Sequence, residues 1–189
     1  MQTFGADRSM VLRPGVVLGP REYVGRLPRW LRRVAAGGRV LAPGAPGRSI
    51  QPVDVRDLAA FALKGTGQGI SGAYNVAAPI GAETFEGMLG ACAEVTGSDA
   101  EFVWVADEQL VACGVRQWSE MPLWRVFPGT WQVSAAAALA AGLSCRPLAA
   151  TVADTWSWLQ DSGDNPDDER AAEIGMSGDR ERQILGSLG

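Results

Sequence analysis

Arginine is the residue type with the clearest capacity for chemistry in this chain of 189 residues. Residues 1–64 carry a net charge of +7 and residues 65–189 carry −11. The planar guanidinium fork suits a phosphate or a carboxylate better than the point charge of a lysine does. The positive region therefore predicts either a phosphate-bearing small ligand or a solvated helix face that opposes the acidic half. Most of its charge comes from Arg21, Arg26, Arg29, Arg32, Arg33, Arg39 and Arg48.

A second chemical feature is the stretch Val11 to Pro20, with the sequence VLRPGVVLGP. Two apolar runs flank Arg13-Pro14-Gly15, and the stretch closes on Gly-Pro, which predicts a buried strand that ends in a tight turn. Ligands of open α/β sheets sit at the carboxyl ends of the strands. At Pro14 and Gly15 a flat ring could approach bare backbone, because glycine has no Cβ and proline has no N–H. An ordinary exit from strand to loop is the alternative.

Several kinds of chemistry are excluded by what the sequence lacks. It contains no histidine, which removes Ser-His-Asp and Cys-His catalysis and histidine-ligated metals. Its cysteines, Cys92, Cys113 and Cys145, are odd in number and form no C-x-x-C pair. Neither a disulfide framework nor a metal site is expected, and the three cysteines are interpreted as small buried residues.

The glycine cluster at residues 67–72, GQGISG, matches G-x-G-x-x-G. That pattern binds a dinucleotide only when a strand leads into it and a helix leads out, so that the pyrophosphate meets the helix N-terminus. Here the order is reversed, with a predicted helix before the cluster and a predicted strand after it. We therefore interpret the cluster as a connection between helix and strand.

Length and charge set the broad class of protein. The chain is long enough for one domain with a sizeable core. No apolar run approaches the roughly 18 residues that a membrane span requires, and no signal peptide opens the sequence. We expect a soluble, cytoplasmic protein. The sequence pI of about 4.9 makes nucleic-acid binding an unfavoured alternative.

Periodicity predicts the elements that must position these residues. A helix is expected from Gly25 to Ala36, with its arginines opposite an apolar face, and Asp54 and Thr84 are expected to cap later helices. The apolar face of the helix after Asp54 is predicted to hold Val55, Leu58, Ala59 and Ala62. Ser134 is expected to cap an alanine-rich helix, and Pro147 to begin the last one. Residues 161–189 are predicted to form an acidic, mobile tail.

The combination of several blocks resembles the NAD-dependent epimerase/dehydratase family, the extended branch of the short-chain dehydrogenases. The blocks are RPGVVLGP at residues 13–20, the arginine-bearing helix, IQPVDVRDLA at residues 50–59 and Tyr74-Asn75-Val76. The resemblance covers Val11 to about Leu159. It implies an α/β fold: the C-terminal part of a Rossmann-type parallel sheet beside a small α/β substrate-binding domain, together spanning residues 1–160.

The resemblance also implies a site. Pro14, Gly15 and Val16 would border the nicotinamide of NAD or NADP through their backbone. Gln51 and Arg48 could face the substrate, and Arg29 and Arg33 could contact its phosphate. Sugar-nucleotide members often have an asparagine at the position of Val16 or Val17, so this sequence departs from their pattern. We expect a small-molecule substrate, no membrane partner and no nucleic acid, and leave a homo-oligomer open.

The Tyr-x-x-x-Lys catalytic pair of that family is absent. Tyr23 and Tyr74 are followed four residues later by Leu27 and Ala78, and Lys64 is the single lysine. The glycine loop that would bind pyrophosphate is absent too. The first hypothesis is therefore the C-terminal half of an NAD(P)-dependent oxidoreductase or epimerase, inactive alone, whose cofactor binds only when the N-terminal half is present. The second is a non-catalytic ligand-binding or protein-interaction module derived from the same fold.

Overall fold

The computed structural model describes Gly5 and residues 8–162 and 173–187. Short strands alternate with helices along this part of the chain. The strands are β1 Met10–Pro14, β2 Val16–Leu18, β3 Arg39–Pro43, β4 Ser49–Ile50, β5 Pro52–Asp54, β6 Gly72–Val76, β7 Glu83–Thr84 and β8 Glu101–Val105. The helices are α1 Arg26–Ala35, α2 Val55–Gln68, α3 Phe85–Thr96, α4 Asp107–Ala112, α5 Ala136–Ala140, α6 Leu148–Ser162 and α7 Gly178–Ser187.

The strand predicted from Val11 onward is present, but it is divided at Gly15. β1 pairs in parallel with β6, with Leu12 opposite Tyr74, whereas β2 pairs in parallel with β5, with Val17 opposite Val53. The N–H of Gly15 still donates to the carbonyl of Val76 at 2.9 Å. One nearly continuous stretch of backbone therefore changes its partner strand at this glycine.

The same stretch is less buried than the sequence predicts. Met10 to Leu12 are half-buried, Arg13 and Pro14 are exposed, and within β2 only Leu18 is fully buried. The prediction of a buried strand is wrong in this respect, because a strand is enclosed on both edges and faces only where neighbours cover it. In the part of the chain that the structure describes, each strand has one partner strand.

Most helix ends follow the local signals of the sequence. The Asp54 carboxylate accepts a hydrogen bond from the N–H of Arg56, and the Thr84 hydroxyl accepts one from the N–H of Gly87. Gly97 ends α3 in the left-handed conformation. The cap predicted at Ser134 is wrong, since Ala135 occupies the N-cap position of α5 and the Ser134 hydroxyl reaches only the N–H of Ala136, at 3.5 Å.

The buried face of α2 differs from the predicted one. Val55 and Ala59 are exposed and Leu58 and Ala62 are half-buried. The face that packs inward is formed by Asp57, Phe61 and Gly65. A buried aspartate breaks the apolar pattern that sequence periodicity detects, because its partner, Arg146, lies 89 residues away along the chain. The predicted face therefore only borders the buried one, and of its members Leu58 packs against the buried apolar residues.

Helices α1, α3 and α6 pack around the larger of two hydrophobic clusters. Its centre contains Leu31 of α1, Phe85 of α3 and Val152 of α6, and the ring of Trp30 meets that of Phe85 edge to face at a centroid distance of 5.9 Å. The smaller cluster, around Phe61 and Val76, lies between α2, α5 and the β1–β6 pair. The model is thus an α/β fold with parallel strand pairs, as the sequence predicts.

Part of the predicted mobile tail is folded. Residues 163–172, 188 and 189 of that prediction lie outside the described residues, but α7 lies between them. Its Glu181, Ile184 and Leu185 are buried, and the two apolar side chains belong to the larger cluster. The prediction of a tail is wrong for Gly178–Ser187, since two apolar residues and one buried acid are enough to dock this short helix.

Candidate functional site

A cleft of about 340 Å³ opens where β2 ends. Most of its wall is backbone and side chains of residues 15–24, and Arg26, Val55 and Trp118 complete it. Because β2 and β5 run in parallel, the carboxyl ends of both strands meet at this cleft. It is therefore the place where an open α/β sheet would hold a ligand.

Gly15 and Val16, both predicted to border a cofactor, line this cleft, whereas Pro14 lies at the exposed end of β1 and is not part of its wall. A Cβ added at Gly15 would lie 3.5 Å from the Cβ of Ala77 and 3.7 Å from the carbonyl oxygens of Gln51 and Val76. These are ordinary contacts, so the chain's own packing does not demand glycine here. The glycine leaves an open stretch of backbone beside the apolar side chain of Val16.

A buried ion pair lies in the wall of the cleft. Glu22 receives hydrogen bonds from the backbone N–H groups of Arg26 at 3.1 Å and Leu27 at 3.0 Å, and from Nη1 of Arg26 at 3.3 Å. A carboxylate in this position caps the first turn of α1. Burial raises the pKa of Glu22, although these hydrogen bonds act in the opposite direction. The acid is therefore held in place by α1 and neutralises only part of the positive charge nearby.

The indole ring of Trp118 lines the cleft and contacts two arginine side chains. Cζ of Arg26 lies 5.1 Å and Cζ of Arg125 lies 5.0 Å from its ring centroid, both within the range of cation–π attraction. Trp118 and Arg21 adopt positive φ angles of 71° and 65°, which side chains other than glycine rarely do. Backbone strain of this kind collects at functional sites, and these two residues line the cleft, whereas Leu123, with φ of 70°, does not.

Arg29 and Arg33, predicted to contact a phosphate, face α7 and the segment before it. Arg29 donates to the carbonyl of Met176, and burial lowers its pKa. Arg33 donates to Glu181 at 2.5 Å and to the carbonyls of Gly37 and Arg39 at 3.1 and 2.6 Å. The structure therefore does not bring either arginine into the cleft, and their contact with a ligand stays a prediction.

Arg48 and Gln51, predicted to face the substrate, also have partners inside the protein. Arg48 forms an ion pair with Asp107 and donates to the carbonyl of Arg125 at 3.2 Å. Gln51 is buried; its amide donates to the carbonyls of Ala78 at 2.8 Å and Val133 at 3.0 Å and accepts from the N–H of Val133 at 2.9 Å. Neither residue is in the wall of the cleft. Their substrate contact likewise stays a prediction.

The junction of β5 and α2 places Val55 in the cleft and is held by a network of charges. The Asp54 side chain binds Arg56 at 2.7 Å and accepts from the hydroxyl of Thr151 at 2.8 Å. Arg146 donates to Asp57 at 2.9 Å and lies 3.7 Å from Asp54. Burial acts to raise the pKa of Asp54, but the hydrogen bonds from Arg56 and Thr151 outweigh it, so that this pKa is lowered.

Sequence reasoning missed three of the residues that shape the cleft. Arg26 was counted with the other arginines of the positive region, and Val55 was assigned to a buried helix face. Trp118 belongs to residues 115–129, an aromatic-rich stretch with little periodicity that could line a pocket or anchor a long loop to the core. The signal for Trp118 was that concentration of aromatics with little periodicity. Nothing in the sequence indicates that the loop meets the start of α1.

The cleft suits a small organic ligand with an apolar body. Its walls are mostly aliphatic and aromatic, and its charged side chains are two arginines and a glutamate whose oxygens already accept three N–H groups. Across Gly5, 8–162 and 173–187, no group of three or more acidic or cysteine side chains is placed to hold a metal ion. No helix within those same ranges is long and apolar enough to cross a membrane.

Neither a protein-family model nor a curated protein sequence matches the chain. Solved structures do. A UDP-glucose 4-epimerase from Thermotoga maritima, crystallised with UDP-glucose, superposes with a TM-score of 0.56 at 18% identity over 82% of this chain. A GDP-L-fucose synthetase from Naegleria fowleri, bound to NADP, gives 0.57 at 10% identity over 79%. RMD from Pseudomonas aeruginosa, complexed with NADPH, gives 0.52 at 17% identity over 82%.

The chain shares its fold with the NAD(P)-dependent epimerases and dehydratases. The resemblance that the sequence indicated is confirmed at this level. The match covers 47% of the epimerase, 44% of the synthetase and 48% of RMD. The chain thus spans slightly less than half the length of these structures and corresponds to a partial portion of their fold.

Proposed function

We propose that this chain is the C-terminal half of an NAD(P)-dependent oxidoreductase or epimerase. In this proposal it supplies the wall of the nicotinamide and substrate site, and the glycine loop and proton donor come from an N-terminal half. The observation that carries the proposal is the cleft at the carboxyl ends of β2 and β5, bordered by Gly15 and Val16. The similar structures that hold NADP or NADPH support the choice of cofactor.

The residues of the cleft fit a flat, partly apolar ring. Gly15 offers backbone without a side chain, and Val16, Val17 and Val55 offer aliphatic surface around it. When bound, a nicotinamide cofactor supplies hydride transfer. The role of this chain is then to hold the ring through the backbone of Gly15 and Val16 and to exclude water with the valines.

The proton required by such chemistry has no donor of the family's kind in this chain. Tyr74 packs edge to face on Phe61, with ring centroids 5.7 Å apart, and its hydroxyl donates to the carbonyl of Ser71 at 2.9 Å, a structural role. Tyr23 lines the cleft, but Leu27 stands where a lysine would be required. In this proposal the tyrosine–lysine pair is contributed by the N-terminal half, and this chain is inactive alone.

A second candidate function is a non-catalytic module that binds a ligand or another protein. It is favoured by the absence of the tyrosine–lysine pair from the sequence. The internal pairing of Arg29, Arg33 and Arg48 also fits a fold that retains its architecture without chemistry at those positions.

Mass spectrometry of the cellular protein, compared with its coding sequence, gives the length of the native polypeptide. That length distinguishes the half-enzyme from the non-catalytic module. A native polypeptide that contains a glycine loop and Tyr-x-x-x-Lys, and that enhances NADH or NADPH fluorescence on titration, is the expected result. The 189-residue chain alone should give no such enhancement. A native polypeptide that begins at Met1, or one that binds neither dinucleotide, would replace the proposal with the non-catalytic module.

A further inference from the structure

Arg26, beside Trp118, has more N–H donors than the described residues have acceptors for. Arg26 has five N–H donors on its guanidinium, and the described residues supply one acceptor, Oε1 of Glu22 at 3.3 Å. Its Nε is buried and has no hydrogen-bond partner among those residues. A buried donor without an acceptor is costly, so the guanidinium is incompletely satisfied by the protein itself.

A second guanidinium stands beside it. Arg125 lies at the same indole ring as Arg26, each Cζ about 5 Å from the centroid, and Arg21 adds a third positive charge to the wall of the cleft. Glu22 is the one acidic side chain in that wall, and its oxygens already receive three N–H groups. The cleft is therefore positive, and it favours an anionic ligand.

The rest of the wall restricts the kind of anion. Val16, Val17, Leu18, Val24 and Val55 present aliphatic surface, which rewards burial of an apolar body. The volume of about 340 Å³ is at the low end of small-molecule sites. A nucleotide joined to a sugar would exceed this volume, whereas a compact acid beside a nicotinamide ring would not.

We propose that the cleft selects a small carboxylate with an apolar or aromatic body, and that Arg26 is the residue that recognises the carboxylate. A guanidinium and a carboxylate match as planar groups with paired hydrogen bonds. Trp118 and Glu22 hold Arg26 between them, so little side-chain freedom is lost when the acid binds. This inference rests on the proposed function, because it assigns the substrate class of the same cleft.

The test compares 2-naphthoate with 2-naphthamide, which has the same shape without the charge. Each is titrated into the native polypeptide, with and without NADPH, by ¹H–¹⁵N spectroscopy of the tryptophan indole N–H groups. We expect the carboxylate to bind at least about tenfold more tightly than the amide. R26Q should remove most of that difference, and R26K should retain part of it.

R182Q is the matched control, since Arg182 is an exposed arginine of α7, outside the cleft, and should leave the difference unchanged. Circular dichroism checks that each variant is folded. If R26Q does not fold, W118F is tested in its place, and we expect it to lose a smaller part of the difference in affinity between naphthoate and naphthamide. Equal affinity for naphthoate and naphthamide would overturn the inference. Displacement of naphthoate by an equal concentration of UDP in the wild type but not in R26Q would overturn it as well. If the native polypeptide bound naphthoate but not NADPH, the proposed function would fail and the acid could no longer be its substrate, whereas the binding of a carboxylate by Arg26 would be upheld.

Discussion

The carboxylate of Glu181 accepts a hydrogen bond from the backbone N–H of Leu41 at 2.9 Å, across 140 residues of sequence. Its second oxygen accepts a hydrogen bond from Nε of Arg33 at 2.5 Å. One buried acid thus joins α7 to β3 and to α1. It supplies an acceptor to a strand N–H that β8, the partner of β3, does not pair with.

Removal of this acid should destabilise the protein substantially. E181A leaves the N–H of Leu41 without its acceptor and Arg33 without its carboxylate partner, so that Arg33 keeps only its bonds to backbone carbonyls. We expect a loss of about 2–3 kcal/mol in the free energy of unfolding. Urea denaturation followed by tryptophan fluorescence measures it. D179A, which removes an exposed acid of the same helix, should change stability by no more than about 0.5 kcal/mol. Equal effects of the two substitutions would show that Glu181 does not join these elements.

Asp54 should make the protein sensitive to acid. Its pKa is lowered in the folded state, because the hydrogen bonds from Arg56 and Thr151 outweigh the effect of burial. A lowered pKa gives a stabilisation that is complete above the unfolded value of about 3.9 and is lost as the pH falls through the folded value. D54N should therefore be less stable than the wild type at neutral pH and lose less stability below about pH 4.

Denaturation midpoints measured between pH 2 and 7 test this expectation. The control is D154N, since Asp154 is half-exposed and binds the other side of Arg56. It should leave the acid dependence close to that of the wild type. If D54N and the wild type lost stability in parallel on acidification, the network around Asp54 would not be its cause.

Glu22 should make the protein more stable as the pH falls, which is the opposite of the effect of Asp54. Burial raises its pKa above the ordinary value of 4.5, so the folded state binds the proton more tightly than the unfolded state does. The resulting stabilisation is fully present below the unfolded pKa and is lost as the pH rises through the folded one. E22Q should therefore abolish a gain in stability that the wild type shows when the pH falls from 7 toward 4.5.

Thermal or urea unfolding at half-unit pH steps over that range measures the gain. Because the glutamine retains an oxygen that can cap α1, the variant should fold. E108Q, at an exposed acid of α4, is the comparison and should retain the wild-type profile. A profile for E22Q that matches the wild type would contradict the expectation.

Two glycines of the cleft should respond differently to the same methyl group. Gly19 has φ of +139°, and a Cβ there would lie 3.1 Å from Cγ1 of Val55, so G19A should cost about 1–2 kcal/mol. A Cβ at Gly15 would have neighbours no closer than 3.5 Å, so G15A should stay within about 0.5 kcal/mol of the wild type. Melting temperatures of the two variants decide this, and a larger loss for G15A would refute it.

The elements that the sequence predicts well are those set by neighbouring residues. Asp54, Thr84 and Gly97 mark helix ends through bonds that span only a few residues, and the apolar face of α1 lies at regular helical spacing. The buried face of α2 and the existence of α7 depend instead on partners 89 and 140 residues away. No local pattern encodes those distances.

The candidate site divides in the same manner. Gly15 was predicted from a strand that ends beside a proline and a glycine, and Val16 from the family resemblance. Both line the cleft, and their contact with a cofactor stays a prediction. Arg29 and Arg33 were predicted from their charge and Arg48 from the family resemblance. Neither source reveals which arginines the fold pairs internally. Arg26 faces the cleft because Trp118, 92 residues later, meets the start of α1, a proximity that only the folded chain displays.

The change of partner strand at Gly15 lies in the wall of the cleft. β1 is attached to β6 and β2 to β5, so a single peptide segment joins two separately anchored pairs of strands. A molecule seated against Gly15 touches the joint between them. Its binding would add contacts to the one segment that links the two pairs of strands.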